Sequence, residues 1–280
     1  MTLSPVLFDD IIDRALREDL ASGDVTTESC IAEGTKAEAN AVARGEVVVC
    51  GGAVFARVFA KLDPTIEVTI LAADGTVSQK GTTMWRVRGD ARAILMAERT
   101  ALNLTQRMTG IATTTKTYVD ALPKGSKTRI TDTRKTMPGL RVLDRYAVRV
   151  GGAKNHRNDL GSAVLIKDNH VAAAGGVAEA IARARARAPH TSRIECEVDS
   201  LEQLAVALDA GADVVLLDNM STETVAKAVA LTKGRALLEA SGGITLARVP
   251  ELAEAGVDAI SVGALTHSVK AADIGLDFVT

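Results

Sequence analysis

The chain has 280 residues, 47% of them hydrophobic and 24% charged, and a formal net charge of −2. This length and balance support a globular protein with a full apolar core, while no apolar run approaches the ~18 residues that a membrane span requires. Aromatic residues make up only 2%, too few to stack on bases, and with the acidic total this argues against nucleic acid as a partner.

The N-terminus lacks a basic stretch followed by an apolar core, so no signal peptide is expected. Cys30, Cys50 and Cys196 are scattered without a CxxC pair. That spacing points to a reducing, cytoplasmic setting and offers neither a disulfide framework nor a cysteine zinc site. Phe8, Ile11, Ile12, Ala15, Leu16 and Leu20 recur at helical steps and predict a helix over 7–20, ended by Ser22-Gly23-Asp24. Alternation predicts a strand over Ala37–Val49, stopped at Gly51-Gly52, and Val54–Leu62 reads as a helix. Strands are expected at Ile66–Leu71 and Met84–Arg88, between turns at Asp74-Gly75 and Lys80-Gly81. A long helical pattern fills 90–118, with an expected break near Thr109-Gly110.

A different unit then repeats. Apolar strands begin near Arg129, Val164, Ile194, Val214, Leu237 and Ala259, with helical segments at 176–188, 200–210, 222–233 and 246–255. Strands that alternate with helices of this length imply right-handed crossovers and a parallel sheet. Polar residues close these strands: Lys167, Glu197, Asp218, Ser241-Gly242-Gly243 and Gly263-Ala264. Polar strand ends on one side are the mark of a (β/α) barrel, with a doubly wound open sheet as the runner-up. The fold expected is therefore α/β: an N-terminal α+β domain over 1–110, then an open, incomplete (β/α) barrel over 111–268, with 269–280 packing back on the first domain.

Charge is not spread evenly. From Arg129 to His170 there are nine Lys/Arg and four Asp/Glu, a net of +5, which leaves −7 for the rest of the chain. Focused positive charge around glycines is how a site for a small polyanion looks in a sequence. Arg134 and Lys135 follow the strand RITDT; the arginine offers a fork to a carboxylate and the lysine a mobile point charge. His156 and Arg157 follow Gly151-Gly152 and can grip a second carboxylate. Lys167 ends an apolar strand and has two readings, an ammonium paired with an anion or a Schiff-base amine. Asp168 and His170 read as structural. Glu195, Glu197 and Asp199 alternate with apolar residues, which turns them toward the barrel lumen. Glu197 and Asp218 can hold ribose hydroxyls or a divalent cation. Ser241 to Gly243 and Gly263-Ala264 offer backbone N–H groups as a phosphate cradle. Arg141, Arg145 and Arg149 form one helical stripe, read as a solvated face or subunit edge; the roles of Arg99 and Arg107 stay open.

Several long motifs run in the order of one family: REDLASGDVTT (17–27), ERTALNLTQRMTGIAT (98–113), DTRKTMPGLR (132–141), GGAKNHRNDL (151–160), LIKDNH (165–170), ECEVDSLEQ (195–203), LEASGGI (238–244) and GVDAISVGALTHS (256–268). The chain resembles the quinolinate phosphoribosyltransferases through nearly its whole length, departing at Met137 and at Asn158-Asp159. The resemblance implies transfer of a phosphoribosyl group from phosphoribosyl pyrophosphate to quinolinate with decarboxylation, in NAD biosynthesis. It implies that Arg134, Lys135, His156, Arg157 and Lys167 surround the two quinolinate carboxylates. It places Glu197 and Asp218 at the ribose with Mg²⁺ on the pyrophosphate, and Ser241, Gly242, Gly243, Gly263 and Ala264 at the 5′-phosphate. It also implies a homodimer, or a larger assembly of dimers, in which Arg99 reaches a neighbouring subunit's site.

Overall fold

The computed structural model describes residues 3–279. After a 3-10 turn at Pro5–Leu7, the first elements are α1 (Asp9–Asp19), α2 (Val25–Cys30), β1 (Lys36–Ala43), β2 (Val47–Val48), α3 (Gly52–Leu62), β3 (Glu67–Ile70), β4 (Val77–Ser78), β5 (Thr83–Asp90) and α4 (Ala91–Asp120). Then come β6 (Arg129–Thr131), α5 (Arg141–Val150), β7 (Val164–Ile166), α6 (Asp168–Ala174), α7 (Val177–Arg187), β8 (Ile194–Val198), α8 (Leu201–Asp209) and β9 (Val214–Asp218). The last are α9 (Thr222–Thr232), β10 (Leu237–Ser241), α10 (Arg248–Ala255), β11 (Ala259–Ser261), α11 (Ala264–His267) and β12 (Ile274–Phe278). Among the described residues, no helix is long and apolar enough to cross a membrane.

The chain divides into two compact units. The first takes the chain up to Lys116, Thr136–Gly152 and the segment from Leu265 onward. Its sheet has the order β12-β1-β5-β3, with antiparallel ladders. Trp85 and Phe59 both pack against Phe55 with tilted rings at 4.8 Å between centroids, and all three are fully buried. The start of α3 is tied down by Asp74, which accepts the Gly51 and Gly52 N–H groups at 3.0 and 3.1 Å and the Tyr146 hydroxyl at 2.8 Å. A carboxylate at a helix N-terminus meets both the orphan donors and the positive end of the dipole. Asp144, with 0% exposure, accepts a bidentate fork from Arg107 at 2.8 and 2.8 Å and the Met137 N–H at 3.1 Å. Arg107 also donates to the Thr266 carbonyl at 2.9 Å. A buried acid is stable only when its lone pairs are taken up in this way, which settles Arg107 as a structural cation.

The second unit holds Thr117–Lys135 and Ala153–Ala264. Its six strands run β6-β11-β10-β9-β8-β7, all in parallel ladders. Strands consecutive in sequence are neighbours in space except at the β6/β7 edge, and this is the order of an open barrel rather than of a doubly wound sheet with its reversal point. Partners in register share a face. Leu165 pairs with Glu195, Glu195 with Val214, Val214 with Leu237, Glu239 with Ala259 and Ala259 with Arg129. One inward ring of mixed character results, and two positions further along each strand lie Lys167, Glu197, Leu216, Ser241, Ser261 and Thr131.

Three expectations are corrected. α4 runs unbroken through Thr109-Gly110. Gly110 is there for contact rather than for a bend, since a Cβ would stand 2.2 Å from the Lys270 carbonyl oxygen. The Arg141/Arg145/Arg149 stripe is not a solvated face: Arg145 is 8% exposed, Arg141 donates to Thr136 Oγ1 at 3.0 Å, and Arg149 lies over the Tyr146 ring. The strand expected over Ala37–Val49 splits into β1 and β2 around Gly45.

Candidate functional site

A cavity of about 510 Å³ opens at the C-terminal ends of the barrel strands, in the size range of small-molecule sites. Cations and acids divide its wall. Arg134, Lys135, His156, Arg157 and Lys167 line it, as do Glu197, Asp218, Ser241, Gly242 and Gly243. Ten of the positions singled out in the sequence thus share one lining. Gly263 and Ala264 follow β11 and do not line it, and Arg99 is exposed on α4, outside the lining.

The basic residues are seated from below by a buried acid. Asp132, 0% exposed at the end of β6, accepts the Asn155 side-chain amide and the His156 backbone N–H, both at 2.7 Å. That pair of bonds fixes the loop carrying His156 and Arg157 to the strand carrying Arg134 and Lys135. Arg157 donates to the Ala163 carbonyl at 3.2 Å. Burial, and then Arg134 beside it, lower the Arg157 pKa, while Glu195 and Asp159 pull the other way, so the gathered positive charge favours an anion in the cavity. Lys167 opens α6, where its N–H donates to His170 Nδ1 at 2.9 Å, and its ammonium meets Glu197 at 2.6 Å.

The acidic side is built by a latch. Asn219 is one of two non-glycine residues in the left-handed region among those described, at φ 54°. It donates through its amide to Asp218 Oδ2 at 2.7 Å and through its backbone N–H to the Ser241 carbonyl at 2.9 Å. Gly242, at φ 85°, packs so close that a Cβ would stand 2.2 Å from Asn219 Oδ1. The ends of β9 and β10 are thereby joined, and the first glycine of the cradle has a steric reason. Burial, with the Glu197 charge second, raises the Asp218 pKa against the pull of Asn219, Lys167 and Lys135. Two carboxylates that repel each other beside open space, together with the hard oxygens of a ligand, suit a divalent cation.

Below this cavity His156 turns inward. Its Nε2 lies 3.2 Å from Glu195 and 3.4 Å from Glu239. These three side chains are close enough together to be read as metal ligands, but Nδ1 accepts the Arg157 N–H at 2.7 Å. The ring proton therefore sits on Nε2, the atom a metal would need. Burial alone would lower the imidazole pKa, but hydrogen bonds to Glu195 and Glu239 outweigh it and raise it to about 10. Burial raises the pKa of Glu195, against the pull of His156 and Arg157. Glu239 and Asn219 were not singled out in the sequence. The available signals were an acid inside the apolar run LLEA and an Asn after the strand-ending acid in LLDN.

Comparison with known proteins follows the same division. Residues 24–109 match the family described as quinolinate phosphoribosyl transferase, N-terminal domain, and residues 111–277 its C-terminal domain. A nicotinate-nucleotide pyrophosphorylase [carboxylating] of Mycobacterium leprae is 47% identical over 274 residues, covering 96% of each chain. A probable enzyme of the same name from Bacillus subtilis is 44% identical, covering 93% of this chain and 89% of the relative. Among solved structures, NadC from Streptococcus pyogenes superposes with a TM-score of 0.94 at 39% identity, covering 100% of both chains.

Proposed function

This chain belongs to the quinolinate phosphoribosyltransferase family, and on that premise we propose how its residues divide the work. The reaction is transfer of the phosphoribosyl group of phosphoribosyl pyrophosphate to quinolinate with decarboxylation, giving nicotinate mononucleotide, pyrophosphate and CO₂ in NAD biosynthesis. The observation that carries the assignment of roles is the shared wall of the upper cavity, where five basic side chains stand with three acids, Glu197, Asp218 and Glu239, and a glycine turn.

Quinolinate brings two negative charges. Removing each from water costs several kcal/mol unless a cation meets it, so Arg134, Lys135, Arg157 and Lys167 hold the carboxylates. His156 stands behind them, ordered from both ring nitrogens. Glu197 and Asp218 hold the ribose hydroxyls and offset the positive charge that develops at C1′ as the bond to pyrophosphate breaks. The pyridine nitrogen supplies the electron pair of the new bond to C1′. The resulting pyridinium takes up the electrons of the C2–carboxylate bond as CO₂ leaves, and a proton fills C2. Ser241, Gly242 and Gly243 cradle the 5′-phosphate, with Gly263 and Ala264 completing the cradle at the end of β11.

Phosphoribosyltransferases of this kind generally use a divalent metal. The ion that fits here is Mg²⁺, which Glu197 and Asp218 would hold directly or through water and which would supply positive charge to the pyrophosphate oxygens. Along the sequence we assign 1–110 to the first domain and 111–268 to the barrel, except for the stretches up to Lys116, Thr136–Gly152 and from Leu265 that belong to the first compact unit. The working form is a homodimer or an assembly of dimers in which Arg99 enters the partner's site, and the setting is cytoplasmic. One assay tests the reading: protein with quinolinate, phosphoribosyl pyrophosphate and Mg²⁺, following nicotinate mononucleotide and CO₂ together. Equal formation of both is expected. Binding of phosphoribosyl pyrophosphate without product would reject quinolinate as the acceptor.

A further inference from the structure

The barrel interior contains a second chamber. A cavity of about 500 Å³ lies toward the N-terminal ends of the strands, and His156, Arg157 and Glu239 line both it and the upper site. These three side chains form the partition between the two spaces.

The lower chamber has graded chemistry. At its inner end stand Thr131, Glu195 and Glu239, which are 7%, 7% and 5% exposed. Among the described residues, Thr131 Oγ1 and Glu195 Oε1 are buried and meet no hydrogen-bond partner. Buried oxygens in that condition call for donors. Midway, Val164, Val214 and Leu237 give an apolar wall, and Leu237 is 40% exposed although it points into the barrel. At the mouth, Lys127, Arg129, Lys154 and Arg193 are all exposed. Asp258 is the acid among them, and its carboxylate already accepts the Leu238 N–H at 2.8 Å.

A ligand that answers all three zones has hydroxyl donors at one end, a flat apolar ring and an anionic group at the other. We infer that the lower chamber is a second binding site, for a ribonucleoside monophosphate, with ribose hydroxyls on Glu195 and Thr131 and the phosphate at the basic mouth. The volume lies within the range of small-molecule sites. The reaction's own product falls in this class, a point that rests on the activity given above. Because the partition is shared, occupancy below would reach the quinolinate clamp through His156 and Arg157.

The test is the binding stoichiometry of nicotinate mononucleotide, by titration calorimetry, on three proteins. Wild type is expected to take two molecules per chain. K127E/R193E, altered only at exposed residues outside the catalytic wall, is expected to take one and to keep its turnover. Lys135→Ala, altered in the upper site, is expected to keep the one that K127E/R193E loses. Two sites persisting in K127E/R193E would overturn the inference. So would a single wild-type site that vanishes in Lys135→Ala. A single wild-type site that survives Lys135→Ala and is lost in K127E/R193E would uphold the lower site and count against the upper-site assignment instead, and the product assay distinguishes that case independently.

Discussion

Two buried acids, one in each unit, are used in opposite ways. Asp144 in the first unit has its lone pairs taken by Arg107 and the Met137 N–H. Glu195 in the barrel shares one His156 N–H with Glu239 and, among the described residues, keeps an oxygen without a donor. A saturated ion pair holds chain segments together and has no capacity left for chemistry. An under-satisfied one is costly to keep and persists where a site needs charge that is not already spent. The upper cavity extends the second pattern, with its gathered cations and its repelling carboxylates.

The contrast can be broken experimentally. The largest effect is expected at Lys167, the partner of Glu197. Lys167→Ala should lower kcat/KM by roughly 10²–10³, since truncating one member of a functional charge pair costs about 2–5 kcal/mol. Steady-state kinetics beside an unchanged far-UV spectrum would check this. Next comes Arg107→Ala, which leaves the Asp144 charge buried and alone. A stability loss of about 3–5 kcal/mol is expected, read as a fall in the denaturation midpoint, and R107M/D144L should recover much of it. A smaller effect is expected at the latch: Gly242→Ala forces a Cβ into Asn219 and strains a left-handed φ, at about 1–3 kcal/mol. The KM for phosphoribosyl pyrophosphate should rise more than the KM for quinolinate.

The smallest effect concerns pH. A carboxyl whose folded pKa is raised costs nothing below its unfolded pKa, and its penalty is complete above its folded pKa. Asp218 is of this kind, so Asp218→Asn should raise Tm slightly at pH 7. The Tm gain should disappear as pH falls below the usual Asp range. A fall in Tm at pH 7 would mean that Asp218 serves the fold.

Much of this was legible in the sequence because barrel strands are short apolar runs whose polar residues must face inward or lie at their ends. The observed strands therefore start where VLI, IECEV, VVLL and LLEA start. What could not be read depended on approach rather than on pattern. Gly110 looks like a helix break until Lys270 is seen against it. The arginine stripe on α5 looks solvated until its burial is known. α2 is a single capped stretch too short for periodicity, held by Asp24 on the Thr27 N–H at 2.9 Å. The cavity's basic side was visible as a local charge excess. Its partition was not, because Glu239 comes from β10 while His156 and Arg157 come from the loop before β7, far apart in the sequence.

The most direct test of the charge clamp is the binding of quinolinate itself to wild type and to Lys135→Ala. Lys135 is exposed, so its truncation should leave the fold intact. The account predicts at least a tenfold weaker quinolinate affinity at an unchanged Tm. An affinity within twofold of wild type would contradict it.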